Sequence, residues 1–277
     1  MGIRELISST KRAIFRALNA KRSNAIHLFL LCPPLSGSTA TKELIKTSPN
    51  TTCFPGMGEG QMLPGLSRTR ESRRRWDPTF ELDWATIKPV FYSHWSPAKS
   101  IRFEKSPANV MRAGQLEREF PNSYFLISIR NPYAFAQGFL CRDWGFDQYG
   151  VQVFVDRSEL VAPAPAMVAD FWVRIAQVQI ANTKRLDRHL FYSYEELADD
   201  SAQVIKKMIN FLPELQRLRT DISFDAHNIE GLSFIGFQNL NAVKIAKLSE
   251  QEVDEINRVL VEHQDVLAFF KYDLIQT

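Results

Sequence analysis

The residues able to do chemistry fall in short polar clusters that follow apolar runs. Pro34-Leu35-Ser36-Gly37-Ser38-Thr39 comes after Ile26–Leu31 and before a helix-forming stretch, Ala40 to Lys46. A loop of this kind offers an anion its backbone N–H groups, its hydroxyls and the positive end of a helix dipole. It is not a Walker A loop, because the GxxxxGK[ST] spacing is missing and no lysine precedes Ser38. Arg130 ends the run Tyr124–Ile129 and is followed by Asn131-Pro132. Its fork-shaped guanidinium suits a phosphate. Lys105-Ser106 and Tyr194 likewise follow short apolar runs. Arg68, Arg70, Arg73, Arg74 and Arg75 could attract an anionic ligand or could form a solvated charge run. No cluster of His, Cys, Asp and Glu has metal-ligand spacing, so no metal is expected.

The elements that must position these clusters alternate. Strands are expected at 26–31, 100–104, 124–129 and 190–193. Helices are expected at 40–46, 84–97, 107–119, from Pro132 onward, at 163–187, at 199–211 and at 249–263, the last begun by the capping box Ser249-Glu250-Gln251-Glu252. Residues 47–78, rich in Pro, Gly, Ser and Thr, read as a long loop region, and 143–162 as irregular. Short apolar strands alternating with longer helices predict an α/β fold: a mainly parallel sheet, helices on both faces and a site at the C-terminal strand edge. The polar clusters should therefore converge on one rim.

Composition is that of a globular protein: 277 residues, 45% hydrophobic, 23% charged, with 20 Phe. A net charge of +3 is too mild to argue for nucleic acid. The three cysteines, Cys32, Cys53 and Cys141, form no CxxC pair and suggest a reduced, cytoplasmic chain. The apolar run ending at Cys32 is too short and starts too late for a signal peptide, and no stretch is long enough to span a bilayer. Residues 1–24 read as a basic helical segment and 25–277 as a single domain. Ile3, Leu6, Ile7, Ile14, Phe15 and Leu18 share a face of that helix. Packing on the domain is the preferred reading over weak contact of residues 1–22 with a membrane surface.

Taken in order, the clusters resemble the sulfotransferase family, enzymes that use 3′-phosphoadenosine 5′-phosphosulfate (PAPS). Pro34–Thr39 resembles the family's 5′-phosphosulfate loop. Glu104-Lys105-Ser106-Pro107 resembles a strand-end motif of the Golgi and bacterial branches. Phe120-Pro121 through Phe125–Pro132 resembles the 3′-phosphate motif, and Tyr194-Glu195-Glu196-Leu197 with Asp199-Asp200 a later Tyr-Glu-Asp-Leu segment. The resemblance runs over most of residues 26–265. It implies a three-layer P-loop NTPase-like domain, PAPS as donor with PAP as product, and a small-molecule or glycan acceptor.

Carried over residue by residue, it implies donor contacts from Pro34, Leu35, Ser36, Gly37, Ser38, Thr39, Arg130, Gly138 and Tyr194. Lys105 would neutralise charge on the transferring group. The base that activates the acceptor would be Glu59, in Gly58-Glu59-Gly60-Gln61, with His94 as rival. Two positions depart from the pattern. Leu35 stands where a basic residue is usual, and Gly138 where a serine is usual. They keep open a catalytically silent or altered nucleotide-binding protein; a nucleotide-dependent phosphotransferase is the other alternative. Trp76, Trp84, Phe91, Trp95, Trp144 and Phe146 could line an acceptor pocket or belong to the core.

Overall fold

The apolar runs form the strands of a five-stranded, wholly parallel sheet ordered β2-β3-β1-β4-β5. They are β1 (Ile26–Leu31), β2 (Thr51–Cys53), β3 (Ile101–Glu104), β4 (Ser123–Ile129) and β5 (His189–Ser193). The computed structural model describes residues 3–21, 24–66, 73–142, 145–146, 161–225 and 233–276; at 3–7, 73, 223–225 and 233–235 only the backbone is described.

The helices are α1 (Ile3–Ala20), α2 (Ser38–Lys46), α3 (Trp84–His94), α4 (Ala113–Glu119), α5 (Pro132–Leu140) and α6 (Pro165–Arg185). They continue with α7 (Tyr194–Asp199), α8 (Ser201–Phe211), α9 (Asn241–Ile245), α10 (Glu250–Leu260) and α11 (Gln264–Phe270). A strand buried on both faces alternates its side chains between two cores. Phe29 and Leu31 of β1 join Phe125 and Ile127 of β4 under α3, α5, α6 and α10. Leu28 and Leu30 join Phe103 and Leu126 under α2 and α8. The sequence expectation of a sheet covered on both faces is therefore met.

Topology places the crevice. After β1 the chain turns toward β2 and β3; after β4 it turns toward β5 on the other side. The two departing loops separate at the carboxyl ends of β1 and β4, where open α/β sheets bind ligands. The carbonyls of Leu31 and Ser128 lie at these two strand ends. Fully buried Gln179 of α6 donates its side-chain amide to both, at 2.6 and 3.1 Å.

Several expectations need correction. β2 lies inside the stretch read as loop; Thr51-Thr52-Cys53 is too short and polar to show as a strand. The segment read as a helix from Pro107 begins as a 3-10 helix, Pro107–Arg112, and turns α-helical only at Ala113. An antiparallel pair, β6 (Ser223–Asp225) and β7 (Ser233–Ile235), was not expected. Trp76, Trp84, Phe91, Trp95 and Phe146 are all core residues, Trp84 and Phe91 also lining a small cavity with Gln61, Ser106 and Arg112, and Trp144 lies outside the described residues.

α1 packs on α3, where Asn19 donates to the carbonyls of Tyr92 and Trp95 at 2.7 and 2.8 Å. Those carbonyls belong to a helix end that has no intrahelical partners for them. Phe15 and Asn19 are the covered positions along the described side chains, while Ile14 and Leu18 remain 52% and 51% exposed. The apolar stripe is thus turned partly away from the packed face. No helix among the described residues is long and apolar enough to cross a membrane.

Candidate functional site

The loop after β1 runs directly into α2. Gly37, at φ 84°, is the N-cap of α2, and no side chain caps that helix. The first N–H groups of the helix are therefore the orphans of its free end. Gly37 cannot carry a side chain: a Cβ there would lie 2.7 Å from the Tyr194 ring. Tyr194 in turn lies under Arg130, whose guanidinium carbon sits 3.9 Å from the ring centroid. The structure thereby brings Gly37, Tyr194 and Arg130 into one stack.

Arg130 is 4% exposed and held from several sides. Its Nε donates to Asn241 Oδ1 at 2.8 Å and its Nη1 to the Leu35 carbonyl at 2.9 Å. Leu35 adopts φ 62°, a left-handed conformation uncommon for a side-chain-bearing residue. Asn241 also donates to Glu195, at 2.5 Å. The same carboxylate accepts from the Asn131 N–H at 2.9 Å and from the Tyr272 hydroxyl at 2.8 Å. Burial pulls the Arg130 pKa down, and Tyr194 and Glu195 pull it back. Arg130 Nη2 is buried with no hydrogen-bond partner. A buried guanidinium N–H without an acceptor is costly and marks a place for an anion.

A second group gathers on the other side of the loop. Lys105, 1% exposed, pairs with Glu59 at 3.2 Å and reaches Ser38 Oγ at 3.4 Å. Gln61 donates to the other oxygen of Glu59 at 2.6 Å and accepts from buried Arg75 at 3.1 Å. Lys42 of α2 donates to the Gly56 carbonyl at 2.9 Å. Its stem and that of Lys105 both lie against Gly58. Arg74 instead pairs with Asp77 at 2.8 Å, while Arg68 and Arg70 lie outside the described residues.

Behind this group is a fully buried carboxylate, Glu104. Its Oε1 accepts from the N–H groups of Gly60 and Ser106, each at 2.8 Å, and from the Ser106 hydroxyl. Asn109 donates to its other oxygen. Burial pushes the Glu104 carboxyl up to about 7 despite these bonds. Glu104 therefore ties the turn carrying Glu59 to the turn carrying Lys105.

Of the expected site residues, the structure brings together Leu35, Gly37, Arg130, Gly138 and Tyr194 on one side of the loop. On the other side it joins Ser38, Glu59 and Lys105. Ser36 is buried and bonds back to the Pro34 carbonyl at 3.3 Å, which shapes the turn; Thr39 is half-buried in the first turn of α2. It does not bring His94 to them. His94 Nδ1 lies 2.9 Å from Val90 O and 2.9 Å from Ser93 Oγ at the end of α3. The neighbouring rings of Tyr92 and Trp95 pack on His27 at the start of β1, the sheet edge opposite the loop. Sequence reasoning missed Asn241, Lys244, Glu195 and Glu104 as site residues. Glu104 and Glu195 lie in motifs that the sequence singled out, with no role given to either; Asn241 and Lys244 carried no signal. Among the described residues no group of His, Cys, Asp and Glu could hold a metal ion.

The arrangement is similar to known proteins at the level of fold. The sulfotransferase domain from the curacin biosynthetic pathway superposes with a TM-score of 0.50 at 20% identity, covering 91% of this chain and 99% of that one. A sulfotransferase from Alicyclobacillus acidocaldarius gives 0.50 at 14% identity, covering 89% and 96%. STF9 from Mycobacterium avium gives 0.52 at 13% identity, covering 95% and 82%. No curated protein matches the sequence itself. Residues 27–215, which carry the loop, Lys105, Arg130 and Tyr194 in order, match the model of the sulfotransferase family, and the chain belongs to that family.

Proposed function

We propose that the chain transfers a sulfuryl group from PAPS to a hydroxyl or amine of a small-molecule or glycan acceptor, with Glu59 as general base. The observation that carries this reading is one loop with an anion position at each end. Ser38 meets Lys105 and Glu59 on one side, and Leu35 meets Arg130 with its spare buried donor on the other. Such a pair of positions fits a nucleotide with anions at both ends.

Bound PAPS supplies the sulfuryl group. Glu59 accepts the proton of the acceptor hydroxyl, so that its oxygen can attack in line. Proton uptake cancels the carboxylate charge that holds Lys105. The ammonium charge then becomes available to the oxygen from which the sulfuryl group departs. Lys105 is almost wholly desolvated, which strengthens that effect. The charge missing at Leu35 is not needed to shape the loop, because Arg130 uses the Leu35 backbone carbonyl.

The test is a titration with adenosine 3′,5′-bisphosphate, ATP and AMP, repeated with Arg130→Ala, followed by PAPS turnover with Glu59→Gln. The bisphosphate should bind best and lose that advantage in Arg130→Ala. Glu59→Gln should lower turnover by about 10²–10⁴-fold while donor affinity is kept. Tighter, magnesium-dependent ATP binding would favour a phosphotransferase. Bisphosphate binding without turnover across an acceptor panel would favour a silent nucleotide-binding protein.

A further inference from the structure

Arg75 closes the arginine run before Trp76, yet it is 1% exposed and belongs to no charged surface. Its Nη2 donates to Gln61 Oε1 at 3.1 Å, and Gln61 Nε2 donates to Glu59 Oε2 at 2.6 Å. The two neighbours force the orientation of the amide between them. An arginine only donates and a carboxylate only accepts, so Gln61 turns its oxygen to Arg75 and its N–H₂ to Glu59. Both ends of this bridge are braced. The Gln61 backbone N–H donates to Ser106 Oγ at 3.2 Å, and buried Arg112 donates to the carbonyls of Arg74 and Arg75. Ser106 and Arg112 stand at the two ends of the 3-10 helix that follows Lys105, so one short helix holds the whole bridge against the site.

We propose that Gln61, oriented by Arg75, is the positioning residue for Glu59 and reserves Glu59 Oε1 as the oxygen that receives the acceptor's proton. This rests on Glu59 acting as the base and adds two residues from outside the motifs. The two carboxylate oxygens have donors of different kinds. Oε2 meets an amide fixed at both its ends, which stays in place through the reaction. Oε1 meets the Lys105 ammonium at 3.2 Å, on a flexible stem that also reaches Ser38 Oγ at 3.4 Å. A point charge on such a stem can withdraw as a proton arrives; the braced amide cannot. The acceptor O–H bond breaks as the Oε1–H bond forms, and Lys105 is released toward the departing oxygen. Without Gln61 the carboxylate is free to turn both oxygens to Lys105, and base and cation are then spent on each other.

Release of PAP from PAPS, with water, phenol and glucosamine as acceptors, tests this in the wild type, Glu59→Gln, Gln61→Met, Gln61→Glu and the double variant Glu59→Gln/Gln61→Met. Calorimetric titration with adenosine 3′,5′-bisphosphate and urea midpoints accompany it. Gln61→Met should lower kcat by about ten- to a hundredfold while the KM for PAPS and the bisphosphate affinity are kept. Gln61→Glu has the same shape but no N–H for Glu59, and should lose at least as much. In the Glu59→Gln background, Gln61→Met should cost nothing further. A loss of equal size in both backgrounds, or one matched by weaker bisphosphate binding, would overturn the proposal and leave Glu59 as base. So would full turnover in both Gln61 variants. Full turnover in Glu59→Gln would sink the base reading itself, and a wild type that releases no PAP with any of the three acceptors would sink both.

Discussion

Glu104 shows how a single side chain can govern a site without facing it. Each of its described partners is a donor: two backbone N–H groups, a hydroxyl and a side-chain amide. A carboxylate satisfies that set; a carboxylic acid brings one more donor into a pocket of donors. With the carboxyl pushed up to about 7 by burial, protonation falls within the working range. Turnover should therefore decline below about pH 7 as the turns bearing Glu59 and Lys105 lose their common anchor. In Glu104→Gln the amide N–H₂ meets the same donors at every pH, so activity should be low throughout and the acid limb near pH 7 should vanish. A pH–rate profile on both proteins checks this. An unchanged limb in the variant would show that Glu104 does not set it.

At the scale of elements, the crevice exists because β1 and β4 part, and α6 makes that parting tolerable. Gln179 donates to a carbonyl near the end of each of the two strands. Trp172, two turns earlier on α6, donates its indole N–H to the Arg130 carbonyl at 2.9 Å. One helix thus stabilises both strand ends that the site uses. Gln179→Leu would keep the volume but strand both carbonyls in the core. The expected cost is about 1–3 kcal/mol of unfolding free energy, read as a lower urea midpoint. A variant as stable as the wild type would mean that other groups satisfy those carbonyls.

For the whole molecule, two buried groups at different places on the sheet oppose each other in acid. His27 is held neutral, its pKa lowered from 6.5 to about 3 by burial and then by Arg102 and Lys88. Its Nε2 accepts from Arg102 at 3.1 Å. An unfolded histidine takes up a proton below 6.5 and the folded one does not, so stability is lost as pH falls. Glu104 has the reverse sign. Its raised value lets the folded state bind a proton between about 7 and 4.5 while the unfolded state does not, so stability is gained as pH falls. Each contributes about 2 kcal/mol between pH 7 and pH 5, in opposite directions. The wild-type urea midpoint should be nearly flat over that interval. Glu104→Gln should leave the His27 loss visible, and His27→Gln should leave the Glu104 gain. Equal slopes in all three proteins would refute the compensation.

The sequence by itself determined four of the sheet's five strands and the order of the loops that follow them. Buried parallel strands must be apolar runs, and whatever follows each one must lie on the same rim. That reasoning put Pro34–Thr39, Lys105, Arg130 and Tyr194 after strand ends, where the structure has them. It did not find β2, whose three residues carry no apolar pattern, nor distinguish core tryptophans from pocket tryptophans, since both are large and apolar. Tertiary structure alone decided that Glu59 meets Lys105 while His94 lies on its own helix. It also decided that Leu35, Gly138 and Lys244 share one small space. Gln137 and Lys244 are 107 residues apart, and Arg130 and Asn241 are 111 apart. Local periodicity and turn chemistry act over a few residues, so contacts at that separation are fixed only when the packed helices bring α9 back over the loop.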